Sequence, residues 1–376
     1  MKKIAIIGGG ISGLYLANIL NNYSEFDYKI YEKREQIDLD EGYGIQLSVN
    51  SIKLLNKIGF KNLPASEICF PSQVNFFQSN NPKKICNIDL TRFNDDQNRY
   101  TTLKRSTLLK LLLKNIPKDK IIFNISLKSL KNIKKIEANF IDNSEENFDF
   151  LVISDGIFSN SKSLVLEEII KPKYNNSIAL RGILNKYDDK NISIFMGSNF
   201  HYVIYPVNQN NEYNFVAILK KKLTLSEINN TKLFQNEDFL DSLKDVLIKN
   251  SFTKFGNLGQ IKAFPVFVTD SVQTIKQKNI FLSGDALFAF PPSFAQGASH
   301  SIETAHDIFK SIQNGSENLY KKRISKIDSI NRRSNLNYFS FHLSNPINVF
   351  IRNLFLKYLS KNEKFLEYYL GKIYRN

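Results

Sequence analysis

The residues whose types and spacing point most directly to chemistry are three glycines and one acid near the start of the sequence. Gly8, Gly10 and Gly13 form the pattern G-x-G-x-x-G. In that pattern the first glycine permits a tight turn, the second lets backbone approach a pyrophosphate, and the third lets a helix pack closely on a strand. Glu32 follows Gly13 by 19 positions, where a carboxylate accepts hydrogen bonds from ribose hydroxyls. Together these residues predict a dinucleotide-binding site.

The segments on either side of the glycines support this prediction. An apolar run typical of a doubly buried parallel strand predicts a strand over 3–7, and the sequence then predicts a helix over 14–20 and a second strand over 28–31. A helix that begins at the glycines directs its unpaired N–H groups and the positive end of its dipole towards phosphates.

A second candidate region lies far along the chain. The apolar run 280–282 predicts a short strand that ends close to Asp285, and a carboxylate at such a strand end can bind the hydroxyls of a ribityl chain. Two prolines and the turn at Gly297 then lead into a predicted helix. Backbone N–H groups at that helix start can hold an electron-rich ring oxygen.

With these stretches together, the sequence resembles the FAD-dependent aromatic hydroxylases, the single-component flavoprotein monooxygenases. Their motif near the C-terminus is G-D-A-x-x-x-x-x-P-x-x-x-Q-G, and the residues that match it in register are Gly284, Asp285, Ala286, Pro292, Gln296 and Gly297. Their middle motif, D-G-x-x-S, is matched by Asp155, Gly156 and Ser159 after the apolar run 150–153. The matches follow one another in the right order, so the resemblance is specific.

Further matches favour one branch of that family. Arg105 matches an arginine at a helix start that usually contacts FAD, and the segment 42–47 resembles the loop near the flavin. The runs 296–303 and 201–207 and the pair Arg181-Gly182 resemble the salicylate hydroxylase and 6-hydroxynicotinate monooxygenase branch. That branch is related to the ubiquinone-biosynthesis hydroxylases.

The resemblance implies an NAD(P)H-dependent FAD monooxygenase. In such enzymes NAD(P)H is the co-substrate that reduces FAD, and O₂ then forms a C4a-hydroperoxyflavin that hydroxylates a small phenolic or carboxylated aromatic substrate. The residues implied in binding FAD are Gly8, Gly10, Ser12, Gly13, Glu32, Lys33, Arg105, Asp155, Gly156, Asp285, Pro292, Gly297 and Ala298.

Two alternatives stay open, and departures from the family's pattern support the second of them. Leu287-Phe288 replaces the usual Ala-His, Ala295 replaces a common glycine, and Lys162 replaces an arginine after the middle motif. One alternative is a hydroxylase of a polyprenyl quinone precursor. The other is a FAD-bearing binding protein that does not hydroxylate.

Three residues are the candidates for acting on the substrate. His201 and Tyr205 fall in a predicted strand over 200–207, where positions four apart point to the same face. Both side chains can therefore face one pocket, and a phenol reacts more easily when a base or hydrogen-bond acceptor favours its phenolate. Arg181 is a candidate for the mouth of the site or for clamping a carboxylate, with a surface ion pair as the plain alternative.

Because the motifs are far apart, the predicted fold class is α/β, with a discontinuous Rossmann-like FAD-binding domain, an inserted mixed β-sheet substrate domain and a C-terminal helical region. The predicted boundaries are 1–72, 99–172 and 261–315 for the FAD-binding domain, 73–98 and 173–260 for the substrate domain, and 316–376 for the helical region. Strands over 193–196 and 213–219 and a helix over 233–247 are predicted within the substrate domain. The pocket is expected at the domain junction.

The C-terminal region is basic and amphipathic. It holds 12 basic and 4 acidic residues over 316–376. Its apolar residues are Val349, Phe350, Leu354, Phe355 and Tyr358, and the basic residues Arg352 and Lys357 lie between them. We favour packing on the cofactor domain, or on the partner in a homodimer, over contact with a membrane surface.

Composition narrows the remaining classes of partner and location. Two cysteines in 376 residues cannot frame a disulfide-stapled secreted domain or a thiolate zinc site, which favours a reducing cytoplasm. The net charge of +15 comes mostly from scattered lysines, so we expect no nucleic-acid partner. His300 and His306 lie six positions apart without a carboxylate triad, so no metal is expected.

Overall fold

The computed structural model describes residues 1–39, 43–131, 135–252, 258–273, 275–316 and 318–375. The strands are β1 Lys2–Ile7, β2 Phe26–Tyr31, β3 Gly44–Leu47, β4 Ile68–Cys69, β5 Gln73–Gln78, β6 Asn81–Asp89, β7 Thr101–Lys104, β8 Ile121–Ile122, β9 Leu127–Lys131, β10 Ile136–Phe140, β11 Glu145–Phe148, β12 Phe150–Ile153, β13 Lys173–Asn185, β14 Ile192–Gly197, β15 Phe200–Pro206, β16 Glu212–Lys220, β17 Lys262–Val268 and β18 Ile280–Leu282. The α-helices are α1 Ile11–Leu20, α2 Val49–Asn56, α3 Arg105–Lys114, α4 Asn160–Leu166, α5 Leu225–Asn229, α6 Glu237–Lys249, α7 Gly297–Asn314, α8 Asn318–Phe341, α9 Pro346–Leu359, α10 Glu363–Leu366 and α11 Lys372–Tyr374.

A five-stranded parallel sheet, in the order β18-β12-β1-β2-β8, carries the start of the chain. Successive side chains of a strand point to opposite faces, and β1 buries both. Ile4 and Ile6 pack among residues of α1, α3 and α7, whereas Ala5 and Ile7 pack against the small sheet β11-β10-β9. The two strands and the helix predicted around the glycines are confirmed, and the helix begins earlier than predicted, at Ile11.

A seven-stranded sheet, in the order β17-β13-β16-β15-β14-β5-β6, forms the second layer. It is mixed, because β14 and β5 run parallel while the other neighbours are antiparallel. The predicted strands over 193–196, 200–207 and 213–219 are confirmed as β14, β15 and β16. The strand β17, Lys262–Val268, falls in the segment 261–315 that the sequence assigns to the FAD-binding domain. It pairs with β13 and therefore belongs to the large sheet.

The helix predicted over 233–247 is wrong at its start. Residues Leu233–Gln235 form a single 3₁₀ turn, and α6 begins only after Asn236. The side chain of Asn236 accepts a hydrogen bond of 2.8 Å from the backbone N–H of Phe239, which makes Asn236 the N-cap of a new helix. Apolar spacing alone does not reveal this break.

The C-terminal helices pack on the parallel sheet and on the open side of the large sheet. Glu303 of α7 is buried and pairs with Arg323 of α8 at 2.6 Å and with Lys326 at 2.7 Å. The apolar side of α9 does not pack on the cofactor domain, because Phe350 and Phe355 are 63% and 60% exposed. The alternative, packing on the partner in a homodimer, stays a prediction. Among the described residues, no helix is both long and apolar enough to cross a membrane.

Candidate functional site

The carboxyl ends of β1, β12 and β18 bring three distant stretches of sequence together. The backbone N–H of Ser154 donates to the carbonyl of Ile7 at 2.7 Å, and that of Ser283 donates to the carbonyl of Ile153 at 2.8 Å. The hydroxyls of Ser12 and Ser283 lie 2.5 Å apart. The glycine turn, the D-G-x-x-S segment and the G-D-A segment therefore meet at one sheet edge, which is where α/β sheets bind their ligands.

The glycine turn has one crowded side and one open side. A Cβ added to Gly13 would lie 2.1 Å from the carbonyl oxygen of Gly8, and Gly8 itself has a φ of +104°. A Cβ added to Gly10 would meet no atom within 4 Å. The turn thus packs tightly against protein at Gly8 and Gly13 and leaves room at Gly10, at the N-terminus of α1, for a phosphate group.

Glu32 ends the second strand beside this turn. Its carboxylate accepts hydrogen bonds from the backbone N–H of Gly9 at 2.7 Å and of Arg34 at 3.0 Å. These contacts fix a buried acid within reach of a ribose on the turn. Lys33 follows it on the surface and is exposed.

Asp285 lies in the turn after β18 and lines a cavity of about 890 Å³. Although its side chain is exposed to the open cleft, the surrounding protein removes much of its hydration and raises the pKa of its carboxyl to about 6. The guanidinium of Arg105, at the start of α3, opposes that rise. The predicted arginine and the predicted aspartate therefore share one electrostatic environment.

Asp155 and Gly156 occupy the turn after β12. Burial raises the pKa of Asp155, and hydrogen bonds with Ser159 and Ser161 oppose the rise. One carboxylate oxygen of Asp155 is buried without a partner among the described residues. Lys162, which replaces the family's arginine, is buried and its charge favours the ionised form of Asp155, while burial lowers the pKa of Lys162.

The segment before α7 forms the other wall of this site. Pro292, Gly297 and Ala298 line the cavity, and α7 begins at Gly297. Gln296 is 2% exposed, yet neither its amide nitrogen nor its amide oxygen has a partner among the described residues. Because unpaired buried polar atoms are costly, an amide in this position suits a polar ring edge held against the helix start.

These features fit a bound flavin dinucleotide. The open space at Gly10 suits a pyrophosphate, the carboxylates of Glu32 and Asp285 suit two sets of sugar hydroxyls, and the unpaired amide of Gln296 suits the polar edge of the ring. Gly42, the first residue of the predicted flavin loop, lies outside the described residues. Gly44 of that loop lines the cavity and donates its backbone N–H to Asn214 at 2.7 Å.

The sheet edge where the glycine turn, the D-G-x-x-S segment and the G-D-A segment meet is called the cradle below. One cavity of about 890 Å³ joins this cradle to the large sheet. His201, Val203 and Tyr205 of β15 all line it, so the alternation predicted for this strand places both candidate side chains on the cavity face. Arg181 of β13 lines the same cavity and stacks over the ring of Tyr43 at 5.6 Å. The three candidate catalytic residues are therefore brought together.

The protonation states of this wall follow from burial. His201 is 2% exposed, and loss of hydration lowers its pKa to about 3, so its imidazole is neutral near pH 7. Burial raises the pKa of Tyr205 well above its usual range, although the charge of Arg181 opposes this. The wall thus offers a neutral imidazole, a protonated phenol and a permanent cation.

Two residues of the C-terminal region contribute to this wall and were not predicted: Arg352 lines the cavity, and His342 contacts His201. Nε2 of His342 lies 2.7 Å from Nδ1 of His201. Arg352 lines the cavity with only 6% exposure and donates to Gln78 at 2.6 Å. Neither residue lies in a recognisable motif, and only the packing of α8 and α9 against the large sheet brings them to the site.

The departure at Leu287-Phe288 lies outside the cavity wall. Both side chains are almost completely buried and pack with residues of β1, β12 and β18 in the core of the parallel sheet. Phe290 and Phe294 do line the cavity. The substitution of Ala-His by Leu-Phe therefore extends the core beside the cofactor region.

Comparison with known proteins identifies the class. Residues 1–315 match the family model described as FAD binding domain, so the chain belongs to that family. The recognition of an FAD-dependent aromatic hydroxylase is confirmed, and the protein is an enzyme of the FAD-dependent monooxygenase class with FAD as its cofactor.

Individual relatives are distant. The 3-amino-4-hydroxybenzoate 2-monooxygenase PtmB3 of Streptomyces platensis is 22% identical over 365 residues, which cover 91% of this chain and 89% of that protein. The salicylate hydroxylase of Pseudomonas putida is 23% identical over 237 residues, which cover 57% of this chain and 54% of that protein.

Solved structures share the fold. The structure of Klebsiella pneumoniae HpxO complexed with FAD and uric acid matches with a TM-score of 0.78 at 16% identity, covering 95% of this chain and 93% of that one. A salicylate hydroxylase substrate complex matches with a TM-score of 0.78 at 17% identity, covering 100% of this chain and 95% of that one. The predicted fold class is confirmed.

Within the described ranges, no group of three or more His, Cys, Asp or Glu side chains is arranged to hold a metal ion.

Proposed function

We propose that this protein is an NAD(P)H-dependent FAD monooxygenase that uses O₂ to hydroxylate a small aromatic substrate bearing a phenol, a carboxylate or both. The observation that carries the proposal is one continuous cavity of about 890 Å³. Its wall combines Asp285 and Gly297 from the cradle with His201 and Tyr205 from the large sheet. A substrate bound against the sheet would lie beside the flavin ring.

The proposed FAD contacts are those of the three converging stretches. They are Gly8, Gly10, Ser12, Gly13, Glu32, Lys33, Arg105, Asp155, Gly156, Asp285, Pro292, Gly297 and Ala298. When bound, FAD supplies electron transfer from NAD(P)H and the activation of O₂. The oxygenation route implied by the family resemblance is part of this proposal.

The chain's own residues bind and polarise the substrate. Because His201 is buried and neutral, a ring nitrogen of its imidazole accepts a hydrogen bond from the hydroxyl of a phenol and so polarises the O–H bond. Tyr205, which stays protonated, donates a hydrogen bond. The guanidinium of Arg181 holds a carboxylate, and Phe290 and Phe294 keep water from the reacting ring.

The test combines flavin content, oxidation of NADH or NADPH, and product mass. Purified protein should be yellow, phenolic acids should stimulate NAD(P)H oxidation, and the product should gain one oxygen atom. Asp285→Ala should give colourless protein. The variant His201→Phe should keep the flavin and lose at least tenfold in turnover, because the hydrogen-bond acceptor for the phenol is removed.

One outcome would overturn hydroxylation while leaving the cofactor assignment intact. Bound FAD whose reduction no aromatic compound stimulates would favour the non-hydroxylating binding protein. The hydroxylase of a polyprenyl quinone precursor stays a second candidate, because the cavity continues between the apolar side chains of α8 and α9. The substrate screen therefore includes an isoprenoid phenol.

Location and assembly also stay proposals. We propose a cytoplasmic location, supported by Cys69 and Cys86, which are both free thiols. A homodimer remains a prediction.

A further inference from the structure

The helix α9 has its apolar side facing outwards. Its apolar residues follow one another at steps of three and four, which places them on one face of a helix. They are Ile347 at 68% exposure, Phe350 at 63%, Ile351 at 43%, Leu354 at 51%, Phe355 at 60% and Tyr358 at 68%. The side chain buried on the opposite side is that of Arg352. The side of α9 around Arg352 also carries Val349, Leu356 and Leu359, which are half-buried, so α9 is apolar on both sides. A surface helix of a globular protein normally turns a polar side to solvent.

This orientation is fixed by specific contacts. The guanidinium of Arg352 donates to the side chain of Gln78 at 2.6 Å and to the carbonyl of Ser340 at 3.1 Å. The helix begins at a capped end, where the side chain of Asn345 accepts hydrogen bonds from two backbone N–H groups. The side of α9 that carries Arg352 thus contacts the large sheet and α8, and the side with the six exposed apolar residues faces outward.

Some of the outward apolar side chains lie at an opening of the cavity. Ile351 and Phe355 of α9 line the cavity as well as being exposed, and so do two residues of α8, Leu336 at 55% and Phe339 at 62% exposure. We call eight exposed apolar side chains the α8/α9 face: Leu336, Phe339, Ile347, Phe350, Ile351, Leu354, Phe355 and Tyr358. An apolar surface therefore lies at the entrance of the substrate cavity.

The charge around the α8/α9 face selects its partner. The region 316–376 holds 12 basic and 4 acidic residues. Lys357, Lys361 and Lys364 are exposed at the C-terminal end of α9, whereas Glu363 and Glu367 each pair with an arginine. Two such positive surfaces repel each other in a self-associated pair, and an anionic surface attracts them.

We propose that the α8/α9 face binds the surface of a bilayer that contains anionic lipids. Phenylalanine, leucine and tyrosine side chains insert at the boundary between head groups and acyl chains, while the lysines contact the anionic head groups. The opening between α8 and α9 then meets the bilayer, so the cavity receives aromatic substrates that are dissolved in lipid. This last step rests on the proposed function, whereas membrane binding does not.

The experiment uses the full-length flavin-loaded protein and vesicle flotation. Vesicles of phosphatidylcholine alone are compared with vesicles of phosphatidylcholine and phosphatidylglycerol, at low and at high salt. The variant Phe350→Ser/Leu354→Ser removes two exposed side chains outside the cavity lining. The matched control, Ile169→Ser/Leu225→Ser, removes two side chains that are 80% and 79% exposed elsewhere on the chain.

We expect the wild-type protein and the control to float with anionic vesicles at low salt, and at least tenfold less with neutral vesicles or at high salt. The Phe350→Ser/Leu354→Ser variant should bind anionic vesicles at least tenfold more weakly. Absence of wild-type binding to anionic vesicles would overturn the proposal. So would a wild-type dimer in light scattering that the same variant dissociates, because a second copy would then cover the face.

Oxidation assays separate this inference from the proposed function. With a water-soluble phenolic acid, the variant and the wild type should oxidise NAD(P)H equally. With an isoprenoid phenol dissolved in anionic vesicles, the variant should be at least tenfold slower, and equal rates would overturn substrate entry from the bilayer. Normal flotation without stimulated oxidation by any phenol would refute the proposed function alone.

Discussion

Nδ1 of His201 lies 2.7 Å from Nε2 of His342, so a residue of the large sheet and a residue just past the end of α8 form a buried imidazole pair. The carbonyl of His342 accepts a hydrogen bond from Asn199, and its ring packs edge-on against Tyr338 with centroids 4.4 Å apart. Burial lowers the pKa of both rings, to about 3 for His201 and about 2 for His342. One neutral ring therefore donates and the other accepts.

This pair predicts that His342 positions His201 in the proposed reaction. In His342→Ala, water enters beside His201 and its pKa rises towards 6.5. The acidic limb of kcat/KM should therefore move to higher pH, and kcat should fall about tenfold because the base is misplaced. His342→Gln, which keeps a hydrogen-bonding group, should restore part of the activity and of the profile.

The control for this prediction is His306→Ala, which removes a partly buried histidine outside the cavity lining. Its pH profile should match that of the wild type. An unmoved acidic limb in His342→Ala, at any activity, would show that His342 is only a packing residue.

Acid should destabilise the folded protein through its buried histidines. Burial is the main cause that holds the pKa of His201 and His300 at about 3 and that of His342 at about 2, whereas an unfolded histidine titrates near 6.5. Below pH 6.5 the unfolded chain binds protons that the folded chain does not, so the free energy of unfolding falls as pH falls. The window extends from about 6.5 down to about 3.

The size of this effect is measurable by urea denaturation. One unit below pH 6.5, each such histidine costs about 1.4 kcal/mol of stability, or about 4 kcal/mol for the three. The raised pKa of Asp285 acts in the opposite direction, because the folded carboxyl then binds its proton more readily. Stability that stayed level between pH 7.5 and 5.5 would contradict the buried neutral state of these rings.

The sequence predicts the cradle well, but it does not predict the contacts that α8, α9 and His342 make at the cavity. The reason is physical. The roles of Gly8, Gly10 and Gly13 are local, since each depends on a turn between a strand and a helix that are adjacent in sequence. The periodicity of α9 identifies an apolar face, but it does not say whether that face is buried or exposed. The inward position of Arg352 and the contact of His342 with His201 depend on packing between residues more than 100 positions apart.

Gly10 and Gly13 should respond differently to the same substitution. In Gly13→Ala the new Cβ would lie 2.1 Å from a carbonyl oxygen, so the free energy of unfolding should fall by about 3 kcal/mol. In Gly10→Ala the Cβ enters open space at a negative φ of −82°, so the apoprotein should keep its stability. Because that space suits the pyrophosphate, FAD should bind about 10- to 100-fold more weakly.

Equilibrium dialysis with FAD and urea denaturation of the apoprotein measure the two effects separately. Gly13→Ala thus serves as the matched control for Gly10→Ala, because both substitutions lie in the same turn. Unchanged FAD affinity in Gly10→Ala would place the pyrophosphate elsewhere.

Ala295, where the family commonly has glycine, has a left-handed backbone with a φ of +51°. A side chain with a Cβ costs about 1–2 kcal/mol in that conformation. Ala295→Gly should therefore raise the free energy of unfolding by about 0.5–1 kcal/mol, after the added flexibility of glycine in the unfolded chain is subtracted. Ala289→Gly, at a buried neighbouring alanine without a positive φ, is the control and should lower stability; a loss in both variants would argue against strain at Ala295.

Glu303 connects α7, which begins at the cofactor region, to α8. Its carboxylate is 2% exposed and accepts hydrogen bonds from Arg323, Lys326 and Asn50. Removing one partner of a buried ion pair leaves uncompensated charge, so Glu303→Gln should lower the free energy of unfolding by about 3 kcal/mol. Glu145→Gln, which breaks the exposed pair with Lys131, should change it by less than about 0.5 kcal/mol. Equal small effects in both variants, measured by urea denaturation, would mean that α8 is held on α7 by apolar contacts instead.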